Sequence, residues 1–282
     1  LDRRILGLKD SDFILIASRP GMGKTSIALN MAVAAAKESK KTVAIFSLEM
    51  PREQIAMRLL CGDARVNMQH VRSGTLRDKE WVKLAQTVNP LSNEKVYIDD
   101  TSGITPLQMR SRVRRIMMEK GLDLVIIDYL QLMGADGKVE NRQLEVSEIS
   151  RNLKAIALEL KVPLIALAQL SRANEQRGDK FERPKLSDLR DSGAIEQDAD
   201  VVFLLRRPSR NAADPESNDE TLAIIDVAKN RNGETGEVRV NFVREYTRFF
   251  DREIPRSEDS NFQTSEPPPE HYSQECFDDP NM

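Results

Sequence analysis

The chain has 282 residues, 40% apolar and 31% charged, a composition that suits a globular protein with one large domain or two small ones. Its longest apolar run, Val162 to Ala168, is interrupted by Pro163 and falls well short of the ~18 residues of a membrane span, so a helical membrane protein is excluded. The net charge of −3 is uneven: from Asp251 onward nine acidic residues face two arginines, which leaves residues 1–250 mildly basic and compatible with a polyanionic partner. Cys61 and Cys276 cannot build a disulfide framework, and His70 and His271 stand at no metal-ligand spacing. This usage suits a reducing compartment, so a cytoplasmic location is expected. The chain opens Leu-Asp-Arg-Arg, with neither an initiator Met nor a signal-peptide pattern, and reads as a segment of something longer.

The first apolar run, Phe13 to Ala17, reads as a strand, and Ser18-Arg19-Pro20-Gly21-Met22-Gly23-Lys24-Thr25-Ser26 follows it directly. An apolar helix carrying Ile27, Ala28, Met31 and Ala35 comes next. A glycine-rich turn between strand and helix lets backbone amides approach phosphates, and the helix N-terminus adds positive potential. In such a P-loop, Lys24 reaches the β and γ phosphates of ATP and Thr25 ligates Mg²⁺. The pattern's usual first glycine is Ser18 here, a position that must tolerate a side chain.

A second strand, Val43 to Ser47, is followed by Glu49, a carboxylate suited to activating water. Pro51 marks the start of a helix, and a third strand spans Val96 to Ile98. Thr105 as N-cap, Pro106 in the first turn and Gly121 as terminator frame another helix. Arg110, Arg112, Arg114 and Arg115 lie on it opposite an apolar face, as a solvated or subunit-facing side. The run Leu124 to Ile127 ends in Asp128, a second Mg²⁺ anchor at the end of a strand. The Gly-containing, polar segment Met133 to Arg142, which carries Lys138 and Arg142, has two readings, a loop facing the polyanionic partner or a plain one.

Val146, Ile149, Leu153, Ile156, Ala157 and Leu160 recur at helical spacing. The strand Leu164 to Ala168 is followed by Gln169, placed to sense a γ phosphate, and another strand spans Val201 to Leu205. Leu222 to Ala228 and Glu237 to Val243, joined through Asn232-Gly233, predict an antiparallel hairpin. Lys229 and Arg231 follow the first of these, as cations that neutralise charge on a transferred phosphoryl group. Unalternated Ile/Val/Leu runs separated by helix-length segments predict an α/β fold: a mainly parallel sheet flanked by helices, with an antiparallel hairpin at its edge. From Ile254 the chain holds five of its thirteen prolines among Ser, Glu and Asp, so residues 254–282 read as a disordered acidic tail outside a domain of residues 1–253.

Six ordered motifs then carry a family resemblance. Ser18 to Thr25, Phe46-Ser-Leu-Glu-Met50, Ile127-Asp-Tyr-Leu-Gln-Leu-Met133, Ala168-Gln-Leu-Ser-Arg172, Ser192 to Asp200 and Lys229-Asn-Arg-Asn-Gly233 resemble the motor domain of the DnaB family of bacterial replicative DNA helicases, over Leu1 to about Phe250. The resemblance implies a RecA-like P-loop NTPase fold and a homo-hexameric ring around single-stranded DNA. It also implies ATP-driven 5′-to-3′ translocation that unwinds duplex at the replication fork. It places Lys24 and Thr25 in the P-loop, Glu49 as catalytic base, Asp128 at Mg²⁺ and Gln169 as γ-phosphate sensor. Lys229 and Arg231 become the pair reaching into a neighbour's nucleotide, with Arg231 as the finger. A DNA-gripping loop falls on Arg190, Asp191 and Gly193, although the family commonly has Glu where Asp191 stands. The family's N-terminal primase-interacting domain has no counterpart here, so primase and helicase-loader contacts belong to a full-length protein. Two rival readings remain: a RecA-like strand-exchange or repair ATPase, and a nucleotide-gated assembly protein without mechanical output.

Overall fold

Strands covered on both faces bury every side chain, which is why their sequences read as continuous apolar runs instead of alternating ones. The computed structural model describes residues 1–135, 141–170 and 183–252, except the side chains of residues 190–194. The runs become β1 (Phe13–Ser18), β2 (Val43–Ser47), β3 (Val96–Asp99), β4 (Leu124–Asp128), β5 (Leu164–Gln169) and β6 (Val201–Arg206). These six pair in parallel, in the order β3-β2-β4-β5-β1-β6. The sheet continues antiparallel through β7 (Leu222–Asn230), β8 (Gly236–Val243) and β9 (Arg248–Asp251).

The central strands feed two apolar layers in alternation, as β1 shows, whereas β3 and β8 contribute to one layer only. Phe13, Leu15 and Ala17 enter one, together with Met109 and Val113 of α6 (Pro106–Lys120), Ile149 and Leu153 of α7 (Arg142–Leu160) and Ile195 of α8 (Gly193–Asp198). Ile14 and Ile16 enter the other, with Ile5 of α1 (Asp2–Ile5), Ile27, Ala28 and Ala32 of α2 (Lys24–Lys37) and Ile55 and Leu59 of α3 (Arg52–Ala64). Burying one such side chain contributes about 1.5–3 kcal/mol. The remaining helices, α4 (Met68–Ser73) and α5 (Asp78–Ser92), connect α3 to β3. Among the described residues no helix is long and apolar enough to cross a membrane.

The α6 boundaries are those the sequence predicts. Thr105 Oγ1 accepts from the Gln108 N–H at 3.3 Å, Gln108 Oε1 accepts from the Thr105 N–H at 3.2 Å, and Gly121 closes the helix at φ +73°. Its arginines are engaged within the chain. Arg110 and Arg114 both pair with Glu159 of α7, Arg112 with Asp99 of β3, and Arg115 with Glu119.

Three expectations are corrected. The first hairpin strand runs to Asn230, so Lys229 lies inside it instead of after it. Arg142 is the first residue of α7, paired with Glu145 and donating to the Gln131 carbonyl, while residues 136–140 of the expected loop lie outside the described residues. The edge is also more than a hairpin. The short Arg248-Phe-Phe-Asp251 strand adds to β8 and becomes the outermost strand. The expected tail, residues 254–282, lies outside the described residues.

Candidate nucleotide and catalytic site

The parallel strands all end at one rim of the sheet, the usual place for ligands in an open α/β fold. β1 delivers Ser18, which is 1% exposed and donates its hydroxyl to the Arg19 carbonyl at 3.0 Å, so the side chain that replaces a glycine is absorbed as a turn contact. Gly21 and Gly23 follow at φ +75° and +102°, where other residues are strained. A Cβ on Gly23 would also come within 3.2 Å of the Phe249 ring. Gly23 precedes α2 as its N-cap, so the first-turn amides of a 14-residue helix face the loop. Lys24 opens that helix with Nζ 4.7 Å from the centroid of the Tyr129 ring. Burial lowers the pKa of its ammonium group, against Asp128 and Glu49, which raise it.

Thr25 donates its hydroxyl to Asp128 Oδ2 at 2.7 Å, which joins the P-loop to the end of β4. Asp128 is 2% exposed, and its other oxygen, Oδ1, is buried without a hydrogen-bond partner. Burial raises its pKa, with the Thr25 hydroxyl and Lys24 opposing. An unsatisfied buried acceptor costs about 1–3 kcal/mol, a penalty that a hard cation removes. Mg²⁺ takes oxygen ligands and is usually held by one or two protein groups beside phosphates. The Thr25 hydroxyl and the Asp128 carboxylate fit that donor set.

Glu49 lies just past β2, exposed, and acts electrostatically on Lys24, Asp128 and Tyr129. Its turn is anchored: the Ser47 hydroxyl donates to the Met50 carbonyl at 2.6 Å and the Leu48 N–H to the Asp128 carbonyl at 2.6 Å. Gln169 closes β5 opposite Ser18 with its side chain exposed. The Gln131 side chain spans its backbone, accepting from its N–H at 3.3 Å and donating to its carbonyl at 3.2 Å. P-loop, metal anchor, carboxylate and Gln169 thus converge from four strand ends.

The fifth strand end does not join them. β7 runs against β6, so Lys229 pairs with Val202, near the start of β6, and the Arg231 N–H donates to the Asp200 carbonyl at 3.0 Å. Asp200 is itself hydrogen-bonded to Phe13, five residues before Ser18. At about 3.3 Å per residue, Arg231 stands ~16 Å along the sheet from its own P-loop. Lys229 Nζ donates to the Glu196 and Ala199 carbonyls at 2.6 Å, at the C-terminus of α8. The expected DNA residues lead into the same helix: the backbone of Leu186–Ser192 forms 3₁₀ turns kinked at Leu189, and α8 follows at Gly193. The side chains of Arg190 and Asp191 lie outside the described residues.

The structure adds cations that sequence reasoning missed. Arg58, on the inward face of α3 beside Ile55 and Leu59, has its Nε buried without a hydrogen bond and senses both Asp128 and Glu49. Its position at i+3 from a core isoleucine was the available signal. Past β6, Arg207 is 7% exposed, stacks on Phe242 at 4.4 Å and has an unpartnered Nε, while a Cβ on Gly21 would come within 3.7 Å of the Arg210 guanidinium. Burial, then Arg210 and Arg244, lower the Arg207 pKa. The loop is therefore flanked by positive charge suited to an anionic ligand. Among the described residues no cluster of His, Cys, Asp and Glu offers a further metal site.

Comparison with known proteins agrees with this geometry. A family profile described as "DnaB-like helicase C terminal domain" matches residues 1–251. The replicative DNA helicase DnaC of Bacillus subtilis is 49% identical over 254 residues, 90% of this chain and 55% of that protein. DnaB of Geobacillus stearothermophilus has the same identity and coverage. This chain therefore spans about half the length of these curated relatives. Among solved structures, that of a DnaB-like replicative helicase, described with its interactions with primase, superposes with TM-score 0.84 at 37% identity, covering 89% of this chain and 60% of that one. A second solved structure, described as an ATPase domain, superposes with TM-score 0.83 at 38% identity, covering 89% of this chain and 88% of that one. Motif order, sheet topology and the match over residues 1–251 together place this chain in the DnaB-like helicase C-terminal domain family.

Proposed function

We propose that this chain is the ATPase motor of a replicative DNA helicase. It hydrolyses Mg-ATP at interfaces of a homo-hexameric ring and moves 5′-to-3′ along single-stranded DNA to unwind the duplex. The observation that carries the reading is the Thr25–Asp128 pair: a hydroxyl and a buried carboxylate, 2.7 Å apart, at the foot of a P-loop. Lys24 and the α2 amides bind the phosphates. Glu49 takes the proton of the attacking water, Gln169 reads the γ phosphate, and Mg²⁺ supplies charge neutralisation at the phosphate oxygens when bound. Arg231, turned away from its own loop, serves a neighbour's nucleotide together with Lys229.

Arg190, Asp191 and Gly193 are assigned to the phosphate backbone of the DNA. Primase and a helicase loader are partners of the full-length protein, in a cytoplasmic setting, and residues 254–282 form an acidic tail outside the motor. The solved DnaB-like relative described with its primase interactions supports the first of these partners. Steady-state ATPase with and without single-stranded DNA tests the reading, alongside native mass measurement with an ATP analogue. Stimulation by DNA and six-subunit rings are expected. Absence of stimulation sinks the motor and favours an assembly protein. DNA affinity should fall steeply with salt, and Arg190→Ala should flatten that slope by about one contact.

A further inference from the structure

The proposed finger is held by its own subunit through one buried carboxylate. Asp200 sits between α8 and β6 and is 5% exposed. Its Oδ2 accepts from the Phe13 N–H at 2.8 Å and from Lys154 Nζ at 2.6 Å, and Lys154 also donates to the Ser11 carbonyl at 3.1 Å. Those contacts fix the carboxylate to β1 and α7. The remaining oxygen, Oδ1, accepts from one terminal nitrogen of Arg231 at 3.2 Å, and the other terminal nitrogen donates to the Gln197 carbonyl of α8 at 2.6 Å. A planar guanidinium held at two points cannot swivel. The Arg231 side chain is nonetheless 49% exposed, so its orientation is set while much of it still faces outward.

A finger stabilises charge in the transition state only where its donors already point, because reorientation during the reaction costs the rate it supplies. We infer that Asp200 is a positioning residue for Arg231, holding the guanidinium in the direction in which a neighbouring subunit's nucleotide meets it. This rests on the reading of Arg231 as a finger acting across subunits. Lys229 shares the arrangement, since it donates to the Glu196 carbonyl at 2.6 Å and, at 3.3 Å, to the same Gln197 carbonyl that receives Arg231. Asp200 lies with Arg231 at the rim away from its own P-loop, bonded to Phe13 five residues before Ser18.

The test uses subunits that assemble, with subunit exchange verified. Asp200→Asn should lower kcat by ~10²-fold, the order expected when a catalytic group is misplaced by about 1 Å, with the KM for ATP and the affinity for a fluorescent ATP analogue within about twofold. Mixed with Lys24→Ala subunits it should regain activity, because an intact loop then meets an intact, correctly held finger. Mixed with Arg231→Ala subunits it should regain none, since both lesions fall on the finger side. Should Asp200→Asn alone melt below the assay temperature, the double variant Asp200→Asn/Lys154→Met, which also removes the stranded ammonium, replaces it in the same mixtures. An unchanged kcat overturns the inference, as does a parallel loss of nucleotide affinity. So does failure to regain activity with Lys24→Ala while Arg231→Ala and Lys24→Ala rescue each other. If that last pair fails, the finger reading falls, and the role of Asp200 falls with it.

Discussion

Along the rim where β1, β2, β4 and β5 end, polar groups stand on apolar strands and one of them, Asp128 Oδ1, has no partner. Along the opposite rim, Asp200, Lys154, Lys229 and Arg231 satisfy one another and the α8 carbonyls. One rim is preorganised for a ligand at a cost in satisfied hydrogen bonds, and the other is complete as a scaffold yet leaves Arg231 half outside. The difference teaches that, under the proposed function, a single chain carries both the receiving and the donating parts of a phosphoryl-transfer site without joining them. Strand direction is the cause: six parallel strands bring their ends together, and the antiparallel β7 carries its own to the far side.

The largest effect that sharpens this comparison is expected from Arg231→Ala. ATPase activity should fall by about 10³–10⁵-fold while nucleotide affinity is retained, because the P-loop rim is untouched. Loss of affinity in a fluorescent-nucleotide titration would show that the rims are not independent. Glu49→Gln should lower turnover by about 10²–10⁴-fold, again with binding preserved, whereas Lys24→Ala should weaken binding first. If both variants lost affinity equally, Glu49 would belong to the binding cradle and not to the chemistry.

Asp128→Asn should abolish Mg-dependent turnover and yet stabilise the nucleotide-free protein. The gain is about 1 kcal/mol, the low end of the cost of a buried acceptor without a partner, or ~2–4 °C in Tm. The sign follows from the raised pKa of Asp128: the protonated carboxyl is the better-tolerated buried form. The cost of its charge is absent at low pH and appears as pH rises through the folded pKa, so the stability advantage of the variant should vanish in acid. A variant less stable at neutral pH would contradict this reading of the site. The smallest effect belongs to the antiparallel half, where Arg252 pairs with Asp219 at 2.7 Å and the Arg252 and Thr221 side chains hold its carboxyl at about 2. A lowered pKa stabilises above the unfolded value of 3.8 and is lost as pH falls toward 2. Asp219→Asn should therefore cost about 0–1 kcal/mol at pH 5–7 and nothing near pH 2, read from melting curves.

Much of this was legible in the residues. Unalternated runs announce strands buried on both faces, and the polar residues at or beyond their ends are visible without coordinates, so Thr25, Glu49, Asp128 and Gln169 could be read as one rim. Lys229 and Arg231 read as a fifth member because chain order hides strand direction, although the Asn232-Gly233 turn already implied an antiparallel strand. β9 escaped because four residues show no period. Arg58 escaped because an arginine on an amphipathic helix is read as solvated, and only α3 packing turns it inward. The role of Asp200 was hidden by distance in sequence: its partners Phe13, Lys154 and Arg231 meet only in the fold.

The reversal between β6 and β7 also has a consequence in mass action. With the P-loop and Arg231 ~16 Å apart along the sheet, a subunit alone, on the proposed function, holds the receiving part of one site and the donating part of another. Under the shared-site reading, hydrolysis per subunit is then a function of protein concentration, climbing as neighbours associate and levelling off when every interface is filled. Below that concentration the chain retains nucleotide without turning it over, so dilution alone switches the motor off.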